Sequence, residues 1–270
     1  MSPLADNARM KIQLLSDLHL EADPSFTPTP APGADLLVLA GDVGSYQRRR
    51  DGSTMTEPDW ALGRFANWPV PVLYVPGNHE YDGIDWDDAH TRLREACERL
   101  GLIWLERETW VHQGVRFIGT TLWADYDALG DRDKAFRAAN FYLSKMQGMR
   151  NGALFDAAAM RAVALECQAW LREELRKPFD GSTVVVTHFA PTLHSMDPRY
   201  GPTPGTAGFC NALDSLLQHA DLWLHGHLHC PTDVQVGRCR IKANPLGYAD
   251  KNEQAAFESC ACIELKPRPA

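Results

Sequence analysis

Short apolar runs of strand length recur along this chain, and between them the apolar positions spread out to helical spacing. Lys11 to Ser16 and Asp35 to Ala40 predict two strands, each apolar enough to be buried on both faces. A helix is predicted over Glu57 to Trp68, then a third strand over Val70 to Val75. Asp87 and Asp88 look like the cap of a helix reaching Leu100, with acids early and arginines late. Strands around Trp110 and over Val115 to Gly119 flank Gln113-Gly114, a hairpin turn signal. Asp125 to Arg150 is polar and irregular and reads as a helical insertion, a candidate cap over a substrate, and Ala157 to Lys177 reads as a long helix. Further strands are predicted over Thr183 to Thr187, Asp221 to Leu224, Asp233 to Val236, Cys239 to Ala243 and Ala256 to Leu265. Alternating elements early and a run of strands late predict a layered α/β architecture, two packed sheets flanked by helices. No linker or repeat divides the chain, so residues 1–270 are expected to form one domain.

Composition is ordinary for a globular protein, with 44% hydrophobic and 23% charged residues. No apolar run approaches the ~20 residues of a membrane span. Met1 to Met10 lacks a basic flank followed by an apolar core, so a soluble, cytoplasmic protein is expected. Seven cysteines without a CxxC pair are expected to be reduced thiols. Cys260 and Cys262 alternate in the last predicted strand, which predicts one of them in the core. A net charge of -8 disfavours nucleic acid as a partner, and the triplet Arg48-Arg49-Arg50 reads as solvated surface. An anionic substrate would need a local source of positive charge, which bound cations would provide.

The residues able to do chemistry sit just past the strand ends. Asp17 and His19 follow the first strand in SDLHLE, Asp42 the second in LAGDVG, and Asn78 and His79 the third in VPGNHE. His188 lies in VVVTHF, and His227 and His229 lie in LWLHGHLH, where His225 belongs to the strand itself. Strand ends of α/β sheets are where ligands usually bind. Asp17 and His19 are two apart, as are His227 and His229, and in extended backbone such pairs converge on one side. A glycine precedes Asp42, Asn78 and His227, as tight turns crowding a small site require. Carboxylate oxygen with imidazole nitrogen suits Mn, Fe or Zn better than all-oxygen or thiolate-rich sites do. Singly, most of these pieces have a plain structural reading, a turn or a satisfied polar residue. Their ordered joint occurrence does not.

In the order D-x-H, G-D, G-N-H-[DE], H and G-H-x-H, the motifs resemble those of the calcineurin-like metallophosphoesterase superfamily over positions 17 to 229. The resemblance implies a four-layer α/β/β/α sandwich with two divalent metal ions. By matching position it implies that Asp17, His19 and His229 bind the first ion, that Asn78, His188 and His227 bind the second, and that Asp42 bridges them. His79 is implied to act near the leaving group and not as a ligand. The implied reaction is hydrolysis of a phosphate mono- or diester by in-line attack of a hydroxide shared between the ions. Two carboxylates against two divalent ions leave such a centre cationic although the chain is acidic.

The longer second motif of the family's protein phosphatases, GDxVDRG, reads GDVGSYQ here, which argues against a phosphoprotein substrate and leaves His79 with no evident aspartate partner. Small-molecule phosphate esters, nucleotides among them, are the expected substrates. A nuclease and a non-catalytic metal-binding scaffold are the alternatives: the acidic charge speaks against the first, the full set of motifs against the second. THFAPT, NPLGY and GTTLW look similar to stretches of the family's small bacterial phosphohydrolases. Tyr81, Trp123, His194, Arg199, Tyr200 and Asn244 near the motifs are candidate pocket residues. His90, His112 and His219 are expected at the surface.

Overall fold

The computed structural model describes residues 9–48, 52–146 and 148–265, so Arg49, Arg50 and most of Met1 to Met10 lie outside the described residues. Strands β1 (Met10–Leu15), β2 (Leu36–Ala40), β3 (Val72–Val75) and β4 (Ile103–Trp104) lie parallel in that order, and β13 (Cys262–Leu265) closes one edge antiparallel to β1. A six-stranded sheet holds β6 (Val115–Thr120), β9 (Ser182–Thr187), β10 (Leu222–His225) and β12 (Cys239–Ala243) in parallel. Its edges are antiparallel: β5 (Glu108–His112) beside β6, and β11 (Thr232–Val236) beside β12. A small hairpin, β7 (Met149–Arg150) and β8 (Ala153–Leu154), belongs to neither sheet and is bonded through the Met149 N–H to the Ile84 carbonyl.

The period-two alternation of strand side chains divides the core. Ile12, Leu14, Leu36, Val38, Leu73 and Val75 meet Phe117, Val184, Val186, Leu222 and Leu224 between the sheets. The alternate residues, such as Leu37, Leu39, Tyr74, Ile118, Val185 and Trp223, pack with the helices. The result is two mixed sheets flanked by helices. Helix α1 (Trp86–Leu100) buries Ala89, Leu93, Ala96 and Cys97, and α3 (Ala157–Arg176) buries Met160, Val163, Ala164, Cys167 and Leu171. Both sets follow helical spacing along one stripe. A short α4 (Asp214–Leu217) leads into β10, and α2 (Arg132–Met146) forms within the polar stretch read as a helical insertion. Among the described residues no helix is long and apolar enough to cross a membrane.

Several local expectations change. The cap of α1 is Asp85, which accepts the N–H of Asp87, and not Asp87 or Asp88. In place of a helix over Glu57 to Trp68 there is a short 3-10 segment, Asp59–Phe65, broken where Trp60 and Ala61 turn left-handed. The Trp60 indole donates to the Glu80 carbonyl at 2.9 Å, so tertiary contact overrides the local pattern. Of Ala256 to Leu265, Cys262–Leu265 alone is strand, because the Asn244 amide pins the backbone of Glu258 in a loop just before it. Cys260 is consequently exposed and Cys262 half-buried, so neither is a core residue. All seven cysteines are free thiols. His90 is not a plain surface residue: it stacks on Trp86 and meets the Tyr81 hydroxyl at 3.3 Å.

Register sets the site. Leu15 lies opposite Leu39 and Ala40 opposite Val75, so the carboxyl ends of β1, β2 and β3 finish level in one sheet, and Leu224 opposite Val186 brings those of β9 and β10 level in the other.

Candidate metal centre

Five of the seven expected ligands leave these strands in left-handed backbone: Asp17 (φ 53°), His19 (45°), Asp42 (53°), His227 (71°) and His229 (47°). Convergence therefore does not come from extended i, i+2 geometry, and Asn78 too is helical in conformation. Left-handed backbone costs a non-glycine residue roughly 1–2 kcal/mol, and such outliers gather where function over-determines the chain. The turns are held by cross-bonds: Asp17 N–H to the Gly41 carbonyl at 3.0 Å, and His19 N–H to the Asp42 carbonyl at 3.1 Å. Proximity to the aspartates demands glycine at positions 77 and 226. A Cβ on Gly77 would overlap the Asp42 carboxylate, and one on Gly226 would lie 2.5 Å from Asp17 Oδ2.

Asp17, His19, Asp42 and His229 each bring one ligand atom within 4.8 Å of the others, and so do Asp42, His188 and His227. Asp42 belongs to both groups. Asn78 Oδ1 joins the second, 3.1 Å from His188 Nε2. One oxygen of each aspartate has a donor: Asp17 Oδ1 accepts the His227 N–H at 2.8 Å, and Asp42 Oδ1 the His79 N–H at 2.9 Å. The other oxygen of each is buried with no hydrogen-bond donor among the described residues. Buried polar atoms are normally satisfied. Asp42 Oδ2 faces imidazoles, 3.1 Å from His188 Nε2 and 3.9 Å from His19 Nε2, while the His229 Nε2 lies 3.4 Å from Asp17 Oδ1. An O/N donor set with orphaned carboxylate oxygens fits divalent cations.

Charge in the metal-free chain follows the same geometry. Burial by itself would depress His188 and His229. Asp42 beside the first, and Asp17 and Glu253 beside the second, outweigh it and hold each at about 9. Burial would raise Asp17, yet His229 and His188 bring it down to about 2, and Asp42 is likewise driven well below the carboxylate range by His188 and His79. His227 packs against Phe189 and Phe209; burial and His188 push it to about 3 against the pull of Asp42 and Asp17, so it stays neutral.

Sequence reasoning missed the residues behind the ligands. His79 Nδ1 lies 2.5 Å from Asp82 Oδ2, and the Ser45 hydroxyl donates to the same carboxylate at 3.2 Å. The missing aspartate partner of His79 is thus Asp82, one 3-10 turn along at i+3, in GNHEYD. Burial would lower the His79 pKa, but Asp82 and Asp42 raise it well above the usual value and keep the ring protonated. Glu80, fully buried, accepts the N–H groups of Asp42 (3.0 Å), Val43 (2.6 Å) and Gly77 (2.6 Å) and so ties the second motif to the third. Burial and the nearby Asp42 raise it to about 8 against the pull of those donors. Tyr248, in NPLGY, stacks on His19 with ring centroids 4.2 Å apart.

The six candidate pocket residues separate. Tyr81 and Trp123 are buried and line a cavity of about 30 Å³ with Asn78, Asp82, Phe155, Met160 and, from α2, Leu143 and Met146. His194 is exposed beside Asp214, at 3.4 Å. Arg199 is committed to Asp197 at 2.7 Å and covers the exposed Tyr200. The buried Asn244 amide donates to the carbonyls of Leu14 (2.8 Å) and Glu258 (2.9 Å). His225 is buried between Ser195 and Gly226, His112 lies against Trp110, and His219 is exposed.

A family model described as calcineurin-like phosphoesterase matches residues 10–231. No curated protein sequence matches the chain. Among solved structures, a phosphopantetheinyl hydrolase from Mycobacterium tuberculosis is similar in fold, with a TM-score of 0.70 and 20% identity over 96% of this chain and 97% of that one. A candidate 5′-nucleotidase from Staphylococcus aureus, solved with alpha-ketoglutarate, gives a TM-score of 0.50 and 16% identity over 95% of this chain and 54% of that one.

Proposed function

The chain belongs to the calcineurin-like phosphoesterase family, and from that premise we propose that it is a hydrolase of phosphate mono- or diesters of small molecules or nucleotides that works with two divalent ions, Mn, Fe or Zn. The observation that carries this is the convergence of two buried carboxylates, Asp17 and Asp42, with the imidazoles of His19, His188, His227 and His229, where Asp42 belongs to both groups. Asp17, His19 and His229 would hold one ion, Asn78, His188 and His227 the other, and Asp42 would belong to both. Bound there, the ions supply Lewis acidity, bringing the pKa of a water toward neutrality and offsetting phosphoryl charge. Asp82 fixes His79 through Nδ1, so the transferable proton sits on Nε2, the atom that would protonate the leaving oxygen. Glu80 holds the loops of Asp42 and Gly77 at fixed distance, which pre-organises the ligands before substrate arrives. The test is a panel of monoesters, diesters, nucleotides and phosphopantetheinyl esters, assayed with Mn²⁺-loaded and chelator-treated protein. Phosphopeptides are expected to be poor substrates, and the absence of metal-dependent phosphate release across the panel would sink the proposal.

Loading should be coupled to protons. Below about 9, His188 and His229 each carry a proton that a bound ion displaces. Metal affinity is therefore expected to rise with pH up to about 9, and loading at neutral pH to release protons. Calorimetry of Mn²⁺ addition in two buffers of different ionisation enthalpy measures the release. Equal heats in both would exclude these imidazoles as ligands.

A further inference from the structure

The two halves of the centre are backed by different chemistry. His19 Nδ1 faces Glu21 Oε1 at 3.1 Å, and His229 Nδ1 faces Glu253 Oε2 at 2.7 Å. Both rings can thus donate Nδ1–H to a carboxylate and turn Nε2 inward. Those Nε2 atoms are 3.0 Å apart, a separation at which two lone pairs repel unless a cation or a proton lies between them. Glu253 also accepts the Tyr248 N–H at 2.9 Å, which fixes its carboxylate. Glu21 Oε2 is buried with no donor among the described residues, and His19 is the ring its other oxygen meets.

In the other half the supports are neutral. His188 Nδ1 meets the Ala40 carbonyl at 2.8 Å, and His227 Nε2 meets the Gly208 carbonyl at 3.3 Å. Two aromatic rings cover His227, with the Phe189 centroid 4.0 Å away. Asp17, Asp42, Glu21 and Glu253 therefore serve the first half, while among the described residues Asp42 is the one carboxylate in the second ligand group.

From this difference we infer that Glu21 and Glu253 are positioning residues that make the two ion sites unequal: the first binds a divalent ion much more tightly, and the second fills at higher metal concentration. The inference rests on the ligand assignment proposed above. A carboxylate on the far ring nitrogen fixes the tautomer, orients the ring and raises the basicity of Nε2, and losing such a partner typically lowers affinity 10–100-fold.

Titration of metal-free protein with Mn²⁺, with free Mn²⁺ followed by its electron paramagnetic resonance signal, tests this without turnover. The wild type should show two classes of site separated by at least about ten-fold. Glu253→Gln keeps the shape, and its amide oxygen can still accept from His229 and Tyr248. It should weaken the tight class about 10–100-fold and leave the weak class in place. Glu21→Gln should act in the same direction, and it decides the matter if the Glu253 variant does not fold. Two equal sites in the wild type, equal weakening of both classes, or no change in a folded variant would each overturn the inference. Unequal classes in a protein that hydrolyses no phosphate ester would instead refute the proposed reaction and leave this inference standing.

Discussion

Replacing Asp42 by asparagine is expected to weaken both ion sites together and to lower kcat/KM by at least about 10³-fold, since residues that merely support ligands are already worth 10–100-fold. Among the described residues Asp42 is the one carboxylate shared by both ligand groups, and its second oxygen lies between His188 and His19. Asparagine is nearly the same shape and keeps an oxygen for the His79 N–H, so the loss isolates the charge and the ligand atom. The fold should survive. His188 is held up at about 9 chiefly by Asp42, and without that charge it can lose its proton instead of remaining an unpaired buried cation. Asp17→Asn is the control, because Asp17 belongs to the first group alone. Mn²⁺ titrations should show both classes shifted in the Asp42 variant and one in the Asp17 variant. A single shifted class in each would remove Asp42 from the bridging position.

The fold was legible wherever one rule decided the outcome. Parallel strands buried on both faces leave mostly apolar runs, so β1, β2, β9 and β10 fall within a residue or so of their predicted positions, and β12 is marked instead by the alternation of CRIKA. Legibility ended where distant contacts rule the backbone. Trp60 turns left-handed to reach the Glu80 carbonyl, and the loop before β13 is shaped by Asn244, neither of which shows in local periodicity. At the centre, the motif residues come together as a cluster, but by a different cause from the one the spacing suggested: left-handed turns, not extended pairs, aim Asp17 with His19 and His227 with His229. Glu253 is separated from His229 by 24 positions with no motif to link them, so the pair was out of reach. Asp82 was within reach. Asn78 starts a 3-10 turn, and a turn of that kind places the residue three beyond His79 against its ring.

That pair carries the other large effect. His79→Ala should keep both ions and slow alkyl esters by about 10² to 10⁴, the usual worth of a general acid. Esters of p-nitrophenol should suffer much less, because their leaving anion needs little protonation. Asp82→Asn tests the support separately. The amide can hold the ring in the wrong tautomer, with Nδ1 as the acceptor, and it removes the charge that helps keep His79 protonated. The sign follows from the acid role: activity is lost as pH rises through the His79 pKa, Asp82 raises that pKa, and so the alkaline limb of the Asp82→Asn profile should move to lower pH. A residue that only braced the loop would lower the rate at every pH and leave the limb where it was. Measured together on wild type and both variants, metal content, leaving-group dependence and the pH profile separate the readings. Loss of metal from His79→Ala would make it a ligand, and equal losses on alkyl and p-nitrophenyl esters would make its contribution electrostatic instead of proton transfer.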